Sequence, residues 1–216
     1  MFNHIPLELP SLKRVNLDGK RLYETPNGNK YPSVTTVTSL GSEDSIKAWR
    51  KRVGEVEANK ISNRASGRGT RIHSLCEDYI NNRELYVDVF DVDLWKKFNP
   101  ILDDIDNVYC LESMLYSHKL ELAGTTDCIA DYKGTLSVID FKTSGKLKNK
   151  DWISNYFIQC ACYAMMLGEM VGILPKQIVI LIAVDDEEPQ IFIEKTSDWM
   201  PFAIDARREF RLKKGY

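Results

Sequence analysis

The sequence has no apolar run long enough to span a bilayer. Asn3, His4, Pro6 and Glu8 interrupt the N-terminus where a secretory leader would need an unbroken apolar stretch. No membrane contact and a cytoplasmic setting are therefore expected. Nor is there an excess of positive charge. With 29 Lys and Arg against 31 Asp and Glu, the net charge of −2 excludes a uniformly basic coat, so any phosphate contact must come from local clusters. A CxxC pair is also missing. Five cysteines, an odd number, fit reduced thiols. Cys160-x-Cys162 within one helix lacks iron–sulfur ligand spacing, and no cluster is expected. A monomer is expected. What remains is 216 residues, 44% hydrophobic and 28% charged, the make-up of one ordinary globular core.

The most informative stretch is Gly124 to Ser144. Thr126 to Tyr132 and Thr135 to Thr143 are rich in β-branched and apolar residues, and Lys133-Gly134 between them supplies a two-residue hairpin turn. Pairing Tyr132 with Thr135 sets Ile129 against Val138 and Asp127 against Asp140. Like charges at that spacing, roughly 4.5–5.5 Å between Cβ atoms, are destabilising without a cation between them. The strand period of two adds Lys142 to the same face. Oxygen ligands of this kind suit Mg²⁺ or Mn²⁺. Such an ion polarises a phosphodiester and acidifies a bound water, which a lysine can orient or deprotonate. The competing reading is a solvated hairpin end. It is weakened because Ile129, Val138 and Leu136 on one face, and Cys128, Ile139, Ala130 and Phe141 on the other, look covered on both sides.

Along the rest of the chain, the first ten residues read as a loose arm. Leu12 to Leu17 and Arg21 to Thr25 flank Asp18-Gly19 as a small hairpin, leaving 1–30 as an arm and hairpin of open role. Ser33 can cap a short helix through Leu40, and the hydroxyls of Ser33 and Thr35 can either cap or meet phosphates. Glu43 to about Arg64 has an apolar stripe of Ile46, Trp49, Val53 and Val56 with Lys47, Arg50, Lys51 and Arg52 outside it. Arg64, Arg68 and Arg71 surround Gly67 and Gly69, where close backbone approach is permitted before a helix running to about Asn82. On that helix His73 and Glu77 share a side, and a lone histidine there is more often structural than a ligand. Pro100 should break a helical run from Val92 to Asp106, and a strand from Val108 carries Glu112 on a face with Val108, Cys110 and Met114. A basic loop holds Lys146, Lys148 and Lys150. Asp151 can cap a helix to about Val171, on which Trp152, Tyr156, Gln159 and Tyr163 climb one side. Trp49 and Trp152 could stack on bases, but core packing is the expected role of both. Lys176 to Val184 reads as a doubly buried strand and Gln190 to Glu194 as its return. A final helix capped by Ser197 has a basic end.

Glu112, Asp127, Asp140-Phe141-Lys142 and Gln159-x-x-x-Tyr163 follow one another on a helix, three strands, a helix and a strand. In that order they resemble the PD-(D/E)XK nucleases of the RecB-like branch. Pro32 to Thr35, Trp49 with Arg52, Gly69 with His73, and Val138 to Thr143 are similar to the mitochondrial genome maintenance exonucleases and their bacteriophage relatives. The resemblance covers about residues 31–216. It implies an α/β fold with a mixed central sheet flanked by helices, in which 31–106 form a helical arch guiding DNA and 107–216 the catalytic core. It implies Mg²⁺ or Mn²⁺ held by His73, Asp127, Asp140 and the Phe141 carbonyl. Lys142 would handle the nucleophile, with Glu112, Gln159 and Tyr163 in support. Ser33, Thr35, Arg50, Arg68, Arg71, Lys146 and Lys148 are the candidate DNA contacts. The expected activity is exonucleolytic hydrolysis of single-stranded DNA ends in phage replication, recombination or DNA breakdown, with replication or recombination proteins as possible partners and the host cytoplasm as the setting. The alternatives are an endonuclease on the same fold or an inactive nucleic-acid-binding module.

Overall fold

Alternating and continuous apolar runs build two sheets, and the helices between them cover both faces of the larger one. The computed structural model describes every residue except Asp18. Strands β1 (Lys13–Leu17), β2 (Lys20–Glu24) and β3 (Lys30–Pro32) form a small antiparallel sheet. This bears out the first hairpin, although its Asp18 lies outside the described residues. Leu12 and Tyr23 pack this sheet on Ala123.

The larger sheet has β4 (Ile105–Ser117), β5 (Leu122–Tyr132), β6 (Thr135–Ser144), β7 (Gln177–Val184) and β8 (Gln190–Lys195) in that spatial order. Only β6 and β7 among these neighbours are parallel. Lys133 and Gly134 both take positive φ, 51° and 77°, the hairpin turn whose twist matches its strands. The expected register from Tyr132–Thr135 to Cys128–Ile139 follows from it. The helices are α1 (Val34–Thr38), α2 (Glu43–Val53), α3 (Glu55–Ile80), α4 (Val92–Phe98), α5 (Ser154–Val171) and α6 (Thr196–Lys214). Alternation sorts the strand residues between them. Ile129, Val138, Ile178 and Ile180 pack on Phe157, Cys160 and Leu167 of α5, while Cys128, Ile139, Phe141 and Val179 pack on Ile72 and Cys76 of α3 and Phe98 of α4. Burial of each such aliphatic side chain contributes on the order of 1.5–3 kcal/mol. All five cysteines are buried free thiols.

Several local expectations need correction. The N-terminal arm is not loose. Val108 N–H donates to the Asn3 carbonyl at 2.7 Å, and the N–H groups of Ile5 and Leu7 donate to Val108 and Tyr109 carbonyls, so the arm covers part of the open edge of β4. The helix break falls at Gly54 rather than at Gly67 and Gly69. Gly54 has φ 88°, which other residues rarely adopt, whereas Gly67 and Gly69 lie inside α3. The stripe expected on α2 is not buried. Ile46 is exposed because α2 packs on α3 and the preceding turn rather than on the sheet, and Val56, which falls in α3 beyond the Gly54 break, is exposed as well. Asp151 does not cap α5: Asn149 caps a 3₁₀ turn (Lys150–Trp152), and the helix starts at Ser154. That turn projects Trp152 into solvent instead of the core. Ser197 does not cap α6, which already starts at Thr196. Pro100 does end α4, in a 3₁₀ segment (Asn99–Asp104).

Candidate active site

The β5–β6 ladder stops at Cys128–Ile139, one step short of the two aspartates. Beyond that step the regular pairing expected of Asp127 and Asp140 is replaced by a side-chain bond: Asp127 Oδ2 accepts the Phe141 N–H at 2.9 Å. Asp140 is buried. Gln159 of α5 donates to its Oδ1 at 2.9 Å, and the Lys142 ammonium lies 2.5 Å from Oδ2 as an ion pair, although no donor meets Oδ2 in hydrogen-bond geometry. Lys142 also faces the Tyr156 ring at 5.2 Å.

Glu112 reaches this group by a route that periodicity did not show. Register shifts on either side of Val108 put Val108 in the α3-side core and Cys110 in the α5-side core, so the single face expected from Val108 to Met114 does not exist. Glu112 itself has φ 47° and is skipped between the Leu111–Cys128 and Ser113–Thr126 pairs. A non-glycine residue held there costs on the order of 1–3 kcal/mol, and such strain concentrates at functional positions. From α3, His73 places Nδ1 3.7 Å from Asp127 Oδ2. Ligand atoms of His73, Glu112 and Asp127 all lie within 4.8 Å of one another. Oxygens on opposite sides of Mg²⁺ are about 4.2 Å apart, so this donor set fits a hard cation after closing by about half an ångström. Glu112 thus joins the possible ligands, where the sequence had offered it only as support. Asp140 is instead engaged by Gln159 and Lys142, and the Phe141 carbonyl lies 3.5 Å from Lys142 Nζ. The mouth beside His73, Glu77 and Glu112 is a cavity of about 370 Å³.

The electrostatics fit crowded carboxylates. Burial, then Asp127 and Glu77, raise the Glu112 carboxyl to about 7. Burial raises Asp140 to about 6, with Lys142 opposing and Asp127 adding to the rise. Burial alone would lower the Lys142 ammonium, but Asp140 and Asp127 outweigh it and hold its pKa above the ordinary value. Without metal, Lys142 is therefore a cation at neutral pH, a donor that can orient a nucleophile or balance developing charge. Tyr163 is buried with its hydroxyl against Gly124, where a Cβ would come within 2.9 Å. Among the described residues no hydrogen bond links it to the acids.

The candidate DNA contacts scatter. Ser33 is buried and caps α1, accepting the Thr36 N–H at 3.1 Å, and Arg21 donates to Thr35 at 2.8 Å. Arg50 pairs with Glu55, Arg68 with Asp185 and Arg71 with Asp91. Lys146 and Lys148 have no ion-pair partner among the described residues. Trp152, for which the sequence favoured core packing over base stacking, is exposed; its place beside three lysines was the available signal.

No family model matches the chain. Over 133 residues it is 31% identical to human mitochondrial genome maintenance exonuclease 1, covering 56% of this chain and 38% of that protein. The mouse protein of that name is 29% identical over 131 residues, 56% of this chain and 39% of its own length. The chain is similar to mitochondrial genome maintenance exonuclease 1. In Xenopus tropicalis the likeness extends over 176 residues at 27% identity, with 68% of this chain and 48% of that one covered. The chain thus spans between about four tenths and one half of the length of the curated relatives it matches. The motif resemblance read from the sequence agrees with these relatives.

Proposed function

We propose that the chain is a Mg²⁺- or Mn²⁺-dependent exodeoxyribonuclease on a PD-(D/E)XK type of core, hydrolysing phosphodiester bonds from single-stranded DNA ends. The observation that carries this reading is the convergence of His73, Glu112 and Asp127 donors within 4.8 Å, beside the Asp140–Lys142 ion pair. A divalent ion bound there would act as a Lewis acid and lower the pKa of a bound water. The chain's own groups divide the remaining work. Asp127 is oriented by the Phe141 N–H, Gln159 fixes Asp140, and Asp140 holds Lys142 as a positioned donor towards the reacting phosphate. Action at ends rather than internal bonds rests on the exonuclease name of the relatives.

The test is incubation of linear single-stranded, circular single-stranded and duplex DNA with Mg²⁺, Mn²⁺ or chelator. Loss of the linear single strand in either metal, and none in chelator, is expected. Asp140→Asn should abolish turnover, and Lys142→Ala should lower it about 10²–10⁴-fold while strand binding persists. Cutting of the circle would replace the exonuclease with an endonuclease. Turnover in excess chelator would remove the metal from the reading.

A further inference from the structure

Trp152 stands out in the structure because a chain of this size ordinarily covers its tryptophans, yet this one is 68% exposed. It ends a 3₁₀ turn in the loop between β6 and α5, where Leu147 is also exposed. The loop is held in place rather than dangling. Ser144 Oγ donates to the Lys146 carbonyl at 2.6 Å. The Lys148 N–H donates to Gln190 Oε1 at 2.7 Å and its carbonyl accepts from Gln190 Nε2 at 3.0 Å, while Lys150 pairs with Glu194 at 2.5 Å. This fixed backbone presents Lys146 and Lys148 without acidic partners among the described residues. The loop is also continuous with the candidate active site. It leaves β6 just after Lys142, and Tyr156, whose ring faces that ammonium at 5.2 Å, follows Trp152 in the first turn of α5.

The arginines of α3 stand in a different setting. Arg68 and Arg71 line a cavity of about 580 Å³, but both are already paired with Asp185 and Asp91. Lys97 lies 3.9 Å from Glu188, and Asp88, Asp93 and Asp186 stand in the same lining as Arg64, so little positive charge is left there for a phosphate.

We infer that Trp152, Lys146 and Lys148 form a stacking platform that grips single-stranded DNA beside the metal-binding acids, so that the strand runs over the α5 side rather than along the arginines of α3. The inference rests on the nuclease reading and deepens it. An indole face accepts any base, and the two free lysines meet the flanking phosphates, the combination that suits sequence-independent binding of a single strand.

The experiment is binding of a fluorescent single-stranded oligodeoxynucleotide to the full chain in chelator, where cleavage does not interfere. Trp152→Ala should weaken binding roughly five- to 150-fold and Trp152→Phe should restore most of it. Lys146→Ala with Lys148→Ala should lower the salt slope by about 1.4. Arg68→Ala should leave affinity within about twofold, since losses of a few tenths of a kcal/mol are typical away from a contact. If wild type binds and cleaves but Trp152→Ala binds equally well, or if the Phe variant binds as poorly as the Ala variant, the platform is refuted alone. If wild type neither binds nor cleaves any DNA with metal present, the platform falls together with the nuclease reading.

Discussion

Glu112 offers a test of the crowded-acid picture that needs no substrate. Its carboxyl holds its proton up to about 7 against an ordinary 4.5, because the folded chain partly desolvates it, although it keeps solvent contact, and faces it with Asp127 and Glu77. Below pH 4.5 the group is protonated both folded and unfolded, and it costs nothing. As pH rises from about 4.5 to about 7 the unfolded chain releases the proton first, so folding stability falls, and above 7 the full penalty stands. At 1.36 kcal/mol per tenfold the gap corresponds to about 3.4 kcal/mol, which solvent screening of this exposed residue reduces to about 1–2 kcal/mol. Glu112→Gln has no proton to lose. In chelator at pH 8 it should melt about 2–8 °C above wild type, and the gain should vanish near pH 4. Saturating Mn²⁺ should reverse the order, because wild type gains about 2.7 kcal/mol at a hundred times the dissociation constant and the variant lacks a charged ligand. A variant less stable than wild type in chelator at pH 8, or one stabilised by Mn²⁺ as much as wild type, would refute the reasoning.

An imidazole ligand shifts preference towards Mn²⁺ over Mg²⁺. His73→Ala should therefore raise the Mn²⁺ concentration needed for half-maximal cleavage more than the Mg²⁺ concentration; parallel titrations like those of wild type would leave His73 a purely structural neighbour of Phe141. At the α2–α3 junction, Gly54→Ala should lower stability by about 1–3 kcal/mol, since φ is 88° there. Gly67→Ala inside α3 should be neutral or stabilising by up to about 1 kcal/mol, its new Cβ meeting only Arg71 at 3.7 Å. Denaturant melts of both variants check the contrast.

The hairpin and its neighbours were legible because local rules decide them. A two-residue turn with glycine at its second position fixes one register, and the run from Gln177 to Val184 is apolar on both faces because α3, α4 and α5 cover both. Asp127, Asp140 and Lys142 followed from that register alone. Glu112 was visible as an acid but not as a partner of His73, since periodicity assumes an unbroken ladder and β4 breaks its own twice. The helix break was misplaced because glycine in a sequence signals only permission. Gly67 and Gly69 have helical neighbours to propagate through, and Gly54 has a turn to make. Trp152 was assigned to the core by continuing a helical period backwards past the real start of α5. The grip of the N-terminal arm on β4 depends on contacts distant in sequence, which no local pattern records.

The site's connections also differ greatly in how much chain they enclose. Phe141 and Asp127 are 14 positions apart, Asp140 and Gln159 are 19 apart, and the Arg68–Asp185 link that helps fasten α3 to the end of β7 spans 117. Closing the longest of these loops costs roughly 2 kcal/mol more chain entropy than closing the shortest. The order of assembly follows from that difference: the hairpin and α5 bring Asp127, Asp140, Lys142 and Gln159 together first, and α3 delivers His73 to a half already formed. A newly refolding molecule should thus protect the amides of Cys128 and Ile139 from hydrogen exchange before those of Ile72 and Cys76. Simultaneous protection would mean that both halves of the site are born in one step.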